Sequence, residues 1–359
     1  MKYLNIYSFI CCLFLTCTLT GQTLTVQNLD DSGIGSLRDA ISQANSGDTI
    51  RFNPMLIAQG SDTLVLDTVI NIDKDLTIKG LYDEEDTLFL TATDDQMMFF
   101  IDSVENMVMD SLIFDVGSIN TFTSFDLFLV RTSNVQMYNS IFLGHRDEVI
   151  SFWQSSLEIS NCKFISEESS YTSSIIIFST NGDVLRQFRI INSEFEFNNP
   201  ITSAIIIKTG GDKSNNKIYF ENAYFSNMKT LIYGHNTVDI SNCTYDNAHI
   251  KTGEPFVGFA YIRDITLNAE SSTFTVTDSN QVQNTILCIG TPYGPIEPIP
   301  LDVLELNFTN CTFNGGIYES IIYGTGYDSN YVDYFGPDLD NLKITSCIFN
   351  DINGFNELP

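Results

Sequence analysis

One eight-residue phrase recurs between residues 107 and 349, and it constrains this chain more than anything else in it. LEISNCKF (157–164), VDISNCTY (238–245), LNFTNCTF (306–313) and LKITSCIF (342–349) are its clearest copies. Looser ones are MVMDSLIF (107–114), VQMYNSIF (135–142), FRIINSEF (188–195), IYFENAYF (218–225) and LNAESSTF (267–274). Their final aromatics fall at 114, 142, 164, 195, 225, 245, 274, 313 and 349, with gaps of 20 to 39 residues, so the period varies while the wording holds. Internal repetition of this kind marks units that bury their apolar face only by stacking on the next copy.

The phrase has an internal logic. In LEISNCKF, Leu157 and Ile159 alternate with polar residues, as a strand with one buried face requires. Continuing the alternation would bury Asn161. Instead Cys162 and Phe164 resume it one step out of phase, which predicts a two-residue bend at Ser160–Asn161. Asn tolerates the left-handed backbone of such a bend and hydrogen-bonds locally. Asn139, Asn192, Asn222, Asn242 and Asn310 fill the same slot, and Ser111, Ser271 and Ser346 replace it elsewhere. Cys162, Cys243, Cys311 and Cys347 then share one inward slot, and Phe164, Phe313 and Phe349 another.

A second strand follows in most units as a solid apolar run: SSIIIFS (173–179), SAIIIK (203–208), TLIYG (230–234), NTILCIG (284–290) and SIIYG (320–324). Each unit thus holds three short strands and no helical period. The architecture that stacks such units is an all-β, single-stranded parallel β-helix, a solenoid. Nine to twelve coils at ~4.8 Å each would make a rod of roughly 45–60 Å.

Residues 1–21, MKYLNIYSFICCLFLTCTLTG, read as a secretory signal peptide: one Lys, an apolar run of about a dozen residues, then small residues. The run is too short to span a membrane. Export would remove Cys11, Cys12 and Cys17 and leave Cys162, Cys243, Cys288, Cys311 and Cys347. An odd number without a CxxC pair is neither a disulfide framework nor a zinc site. Buried free thiols are the expectation, although Cys311 and Cys347 fall in neighbouring coils, close enough in principle to be bridged.

Residues 22–56 read as a cap and 57–359 as the coils. LTVQNLDDSGIGSLRDAISQANSGDTIRF (24–52) predicts a strand at 24–27, a loop, a helix at about 36–45 and a strand at 49–52. Ser36 with Asp39 makes a start like a capping box. Leu37, Ala40, Ile41 and Ala44 form one apolar helical face, suited to plugging the open end of a β-helix. GIGS (33–36) is no phosphate loop, because no Gly-Lys pair follows and two Asp precede it.

The run Asn28-x-x-Asp31-Ser32-Gly33-x-Gly35-Ser36-Leu37-Arg38-x-Ala40-Ile41, followed by Gly47-Asp48-Thr49-Ile50-x-Phe52, resembles the start motif of secreted bacterial right-handed parallel β-helix repeat proteins. With the repeats, the resemblance covers nearly the whole chain after residue 21. It implies export to the cell surface or medium, a right-handed β-helix with a short N-terminal capping helix, and an adhesin-like or otherwise uncharacterised surface role; it does not imply a defined catalytic site. It also implies a C-terminal sorting or anchoring domain. Ten residues follow Phe349, so the expectation is a chain that is truncated, released, or paired at its last coil with a partner.

Asp and Glu outnumber Lys and Arg by 45 to 17, a formal net charge of −28. Such a chain repels phosphate backbones and anionic membrane surfaces, which excludes nucleic acid and membrane insertion as partners. It also disfavours the basic cleft that a lyase of acidic polymers needs. The β-helix fold nonetheless carries polysaccharide lyases and glycoside hydrolases, so that reading is the alternative. Gly144-His145-Arg146 and Gly234-His235-Asn236 are the nearest approaches to a polygalacturonase pattern, and neither matches. His145, His235 and His249 lie in separate units without short-range partners, and Trp153 is expected to pack at a coil edge. Asp83–Asp86 and Asp94–Asp95 read as solvated turns. No cofactor is expected beyond weak Ca²⁺ binding at acidic turns, since ligand spacing of a defined loop is missing.

The most suggestive surface lies late in the chain. Insertions at about 290–302 and 325–341 follow the second strand of adjacent coils and should emerge on one face. The second holds Tyr327, Asp328, Tyr331, Asp333 and Tyr334. Flat rings beside carboxylates suit an extracellular glycan. The expectation is a non-enzymatic, surface or secreted adhesin-like binding module for a glycan or surface protein, with a structural spacer in a longer surface protein as a further alternative.

Overall fold

A computed structural model of the chain describes residues 21–57, 60–81, 87–93, 97–115, 127–144, 150–166, 174–181, 186–197, 204–210, 216–226, 229–233, 236–247, 257–260, 264–276, 287–290, 303–314, 322–325 and 342–350. Among them are 33 short strands, one α-helix and one 3-10 turn. The strands form three parallel sheets of twelve, eleven and ten strands, and within each sheet the hydrogen-bonded neighbours are mostly three strands apart in the sequence. Ser156–Ser160, for example, pairs in parallel with Asn134–Tyr138 on one side and Gln187–Ile191 on the other. A chain that visits three sheets in turn and returns beside its previous pass is a parallel β-helix. Twelve strands at a spacing of ~4.8 Å span about 53 Å, inside the expected range.

The corner after each of the last nine strands of the twelve-stranded sheet is the predicted bend. Ser111, Asn139, Asn161, Asn192, Asn222, Asn242, Ser271, Asn310 and Ser346 all adopt left-handed φ between 48° and 57°. Their side chains face outward, and three amide contacts link neighbouring coils: Asn161 to Asn139 (3.4 Å), Asn222 to Asn192 (3.0 Å) and Asn139 to Asp110 (2.9 Å). A second left-handed corner joins the ten-stranded to the twelve-stranded sheet at Ser103, Thr132 and Gln154. Those three residues share no side-chain type, so the sequence did not announce it.

Both corners satisfy their backbone groups by one device. The residue after each bend points inward and is mostly small. The Ser133, Ser140, Ser155, Ser193 and Ser272 hydroxyls donate to the carbonyl two residues back, at 2.6–2.9 Å. Each also accepts the N–H of the equivalent residue one coil earlier, as in Cys162 N to Ser193 Oγ (3.1 Å) and Cys243 N to Ser272 Oγ (3.0 Å). Cysteine occupies the same slot with longer, weaker bonds: the Cys162 thiol donates to the Ser160 and Met137 carbonyls, both at 3.4 Å. Ser and Cys therefore interchange because each offers the corner a small inward donor.

The final aromatics of the repeat form the core. Phe114, Phe142, Phe164, Phe195, Phe225, Tyr245, Phe274, Phe313 and Phe349 are consecutive register partners in the eleven-stranded sheet. Their rings stack with centroids 4.3–5.3 Å apart and interplanar angles of 5–23°. Stacked pairs add ~0.5–1.5 kcal/mol each beyond the area they bury. Phe99 and Phe128 stack on the ten-stranded side and meet Phe114 edge-on.

The N-terminal end is closed by β1 (Thr23–Val26), α1 (Leu37–Gln43) and β2 (Asp48–Phe52). Leu37, Ala40, Ile41 and Ala44 join the buried core, as their spacing predicted. Ser36 caps α1, accepting the Asp39 N–H at 3.2 Å. The reciprocal half of the expected capping box is displaced by one residue. The Asp39 carboxylate takes the N–H of Gly35 (2.8 Å), because the Ser36 N–H is already held by the Gly33 carbonyl (3.2 Å).

Candidate functional site

Three side-chain constellations carry chemistry among the described residues. The first is the cap motif. Asp31 and Arg38 form an ion pair at 2.7 Å. The same guanidinium donates to the Thr68 (2.7 Å) and Val69 (2.9 Å) carbonyls, and the carboxylate also accepts the Asp67 N–H (3.0 Å). Gly33 and Gly35 have φ of 101° and 85°, and a Cβ at Gly35 would press within 3.1 Å of Asn28 and Gln27. The motif is thus a fastening that ties the first loop to the start of the ten-stranded sheet. Asp48 does the same on the far side of α1, accepting the N–H of Gln22 (2.6 Å) and Asn45 (2.7 Å). Those backbone bonds hold the Asp48 carboxyl below the ordinary carboxylate value, and the Gly35 N–H does so for Asp39.

The second is the inward thiol ladder. Cys162, Cys243 and Cys311 are buried free thiols, while Cys347 is half-buried. Burial pushes the thiol of Cys162 up to about 12 and that of Cys243 to about 11. Cys162 and Cys243 are therefore packing groups rather than nucleophiles at neutral pH.

The third lies on the outer face of the twelve-stranded sheet, three residues before each left-handed corner. Gln136, Glu158, Arg189, Tyr219, Asp239, Asn268, Asn307 and Lys343 are successive register partners. Glu158 is held by Arg189 (2.8 Å) and by the Tyr138 hydroxyl (3.2 Å). The Arg189 guanidinium lies 5.9 Å from the centre of the Tyr219 ring. Further along, Asn268 donates to Asp239 (2.8 Å) and Asn307 donates to Asn268 (2.9 Å). The sequence reading missed this ladder. Counting back three positions from each Asn or Ser corner would have found it.

The ladder presents a carboxylate, a guanidinium, a ring and amides along one face. Burial and then the Glu158 charge push the Tyr138 phenol above its ordinary value, so it stays protonated near neutrality and is no base. Three described cations elsewhere are also engaged. Lys163 sits between Glu194 (3.0 Å) and Glu196 (3.1 Å), contacts that raise its pKa, and Lys79 faces Asp110 at 3.5 Å. Arg131 covers the Phe100 ring at 5.3 Å. Among the described residues no group of three or more His, Cys, Asp or Glu is placed to hold a metal ion. No described helix is long and apolar enough to cross a membrane.

Other expected residues fall elsewhere. Tyr327, Asp328, Tyr331, Asp333 and Tyr334 lie outside the described residues, as do His145, His235, His249, the acidic turns at 83–86 and 94–95, and residues 1–20 of the expected signal peptide. Trp153 differs from expectation: it ends its strand facing outward and is 53% exposed. Its place in the strand puts it one step out of phase with buried Phe152, so the pleat turns it to solvent.

No family model matches the chain, and no curated protein does. Solved structures similar to it include the cedar-pollen allergen Jun a 1, at 13% identity and a TM-score of 0.47, covering 87% of this chain and 82% of that one. Two more are alginate lyases. One is a PL6 enzyme in complex with a trisaccharide, at 11% identity and a TM-score of 0.38, covering 96% of this chain and 88% of that one. The other, AlyF-OU02, has 10% identity and a TM-score of 0.31, covering 94% and 86%.

Proposed function

We propose that this chain is an exported, non-enzymatic β-helix that binds an extracellular glycan lengthwise along the outer face of its twelve-stranded sheet, as a surface or secreted adhesin-like module. One observation carries the reading: the in-register ladder from Glu158 to Asn307. Each stacked amide spends one Nδ2 hydrogen on its neighbour. That leaves one donor hydrogen and acceptor lone pairs at each of Asn268 and Asn307 for a ligand, one strand spacing of ~4.8 Å apart. The Tyr219 ring and the Arg189–Glu158 pair sit in the same row and supply a flat apolar surface beside polar groups. A neutral glycan suits the row better than an acidic one, because the net charge of −28 opposes a polyanion.

The test is a glycan array, with and without added calcium, on the protein and on Tyr219→Ala and Asn268→Ala. Expected is selective binding to neutral polysaccharides that each substitution weakens about tenfold, the loss of roughly one net hydrogen bond or ring contact. Unchanged binding in both variants, or no binding at the start, overturns the reading. Turnover of a uronate polymer to an unsaturated product would replace it with the lyase alternative.

A further inference from the structure

The inward slot after the left-handed corner is filled in chain order by Leu112, Ser140, Cys162, Ser193, Ala223, Cys243, Ser272, Cys311 and Cys347. Cysteines follow one another only once in this row, at its last step. There the two corners match: Asn310 and Ser346 have φ of 54° and 55°. The flanking residues are in register, Thr309 with Thr345 and Thr312 with Ile348, and the Ile348 N–H donates to the Cys311 carbonyl at 2.9 Å. Identical corners one strand spacing apart place the two Cα atoms ~4.8 Å apart, inside the 4.4–6.8 Å range of disulfides. The Cys347 sulfur also leans back toward the earlier coil, reaching the Phe308 carbonyl at 3.6 Å.

We propose that Cys311 and Cys347 are a modification site: in an oxidising compartment they form a disulfide that staples the last described coil to the one before it. Access follows from position. Cys347 is half-buried while Cys311 is buried, and Ile344 and Ile348 beside Cys347 are 45% and 55% exposed. Cys347 is therefore the thiol that an oxidant meets first. With oxidised glutathione as the oxidant, the Cys347 thiolate attacks one glutathione sulfur and expels a glutathione thiolate. The Cys311 thiolate then attacks Cys347 Sγ in the mixed disulfide and expels the second. Two protein thiols are oxidised, one glutathione disulfide is reduced to two thiols, and the two protons pass to water or to the leaving thiolates. The bridge breaks weak thiol-to-carbonyl bonds only, since both sulfurs donate at 3.4–3.6 Å. Cys162 and Cys243 have Ser or Ala neighbours in the row and form no such bridge.

The full-length chain would be equilibrated with a glutathione buffer rich in the oxidised form, alkylated, unfolded and titrated for thiols, then digested without reductant. Expected are two fewer thiols than in the reduced protein and one cross-linked peptide pair joining Cys311 to Cys347. Cys347→Ser keeps the small donor that Ser140, Ser193 and Ser272 supply in the same slot, so it should fold and keep all its remaining thiols. An undiminished thiol count in the original chain overturns the proposal. So does a cross-link joining any other pair, or loss of two thiols in Cys347→Ser.

Discussion

The two ends of the described rod face the same problem, an uncovered coil, with different chemistry. At the N-terminal end, α1 buries Leu37 and Ile41 over the first strands, and Arg38, Asp31 and Asp48 take up backbone groups of the first described coil. At the far end, LKITSCIF keeps the wording and register of the preceding LNFTNCTF, yet Phe313 is 1% exposed and Phe349 is 36% exposed. The phrase is nearly the same and the burial is not. In a solenoid, burial belongs to the step between coils and not to the coil itself. A stacked unit is stable through both neighbours, and an end needs either a fastening of its own or something that substitutes for the missing neighbour.

The largest effect should come from breaking that stack in the middle. Phe164 lies between Phe142 and Phe195, with centroids 4.3 and 4.6 Å away and rings nearly parallel. Phe164→Ala should cost about 3–5 kcal/mol, the range for a large ring removed from a packed core. Phe349 stacks on Phe313 at 5.0 Å but is 36% exposed, and Phe349→Ala should cost about 1 kcal/mol, since the ring removes less apolar surface from water than Phe164 does. Denaturant midpoints of the two variants give the comparison directly. Equal losses would mean that the last coil is as well covered as the central ones.

A smaller effect separates the ends by pH. Asp39 and Asp48 sit below the ordinary carboxylate value of 3.8 because backbone N–H groups of Gly35, Asn45 and Gln22 bond to the charged forms. Their folded values are depressed, so the stability they contribute is full above 3.8 and is lost as pH falls through those lowered folded values. Acid should therefore loosen the cap before the aromatic stack, which contains no carboxylate. Amide exchange measured at falling pH should quicken first at Gln22, Gly35 and Asn45. Asp48→Asn should remove the part of this pH dependence seen at Gln22 and Asn45. Uniform acceleration along the rod would sink the idea that the cap is the acid-labile element.

What the sequence disclosed and what it hid follow one physical line. The aromatic stack, the inward cysteine slot and the Asn corner were legible because, from residue 107 onward, each answers the same packing or backbone demand in coil after coil, so a few residue types recur. The second corner was hidden because Ser103, Thr132 and Gln154 meet a backbone requirement with side chains that face solvent, where many types serve. Its inward Ser133 and Ser155 repeat the Ser device, but only twice. The outer ladder was hidden for a related reason. Glu158, Arg189, Tyr219, Asp239 and Asn268 differ in type, and only the register makes them neighbours. The expected glycan residues, Tyr327 to Tyr334, lie outside the described residues.

The smallest predicted effect asks whether the corner, unlike the stack, is a property of one residue. Asn192 holds φ at 48° in the middle of the rod, and Ser346 holds it at 55° in the last described coil. A left-handed φ costs an L-residue with an unhelpful side chain about 1 kcal/mol, and glycine avoids that cost. Asn192→Ala should therefore be less stable than Asn192→Gly by about 1 kcal/mol. The Asn222 amide, which donates to Asn192 Oδ1 at 3.0 Å, is lost in both variants and cancels from the difference. The same pair at Ser346 should show the same difference within a few tenths of a kcal/mol, because the strain is set by local backbone sterics and not by how many coils cover the site. Chemical-denaturation midpoints of the four variants suffice. A difference that vanishes at 346 while persisting at 192 would mean that the last coil is open before the rest unfolds. The contrast between Phe164 and Phe349 would then measure fraying of that coil instead of the difference in burial between the two rings.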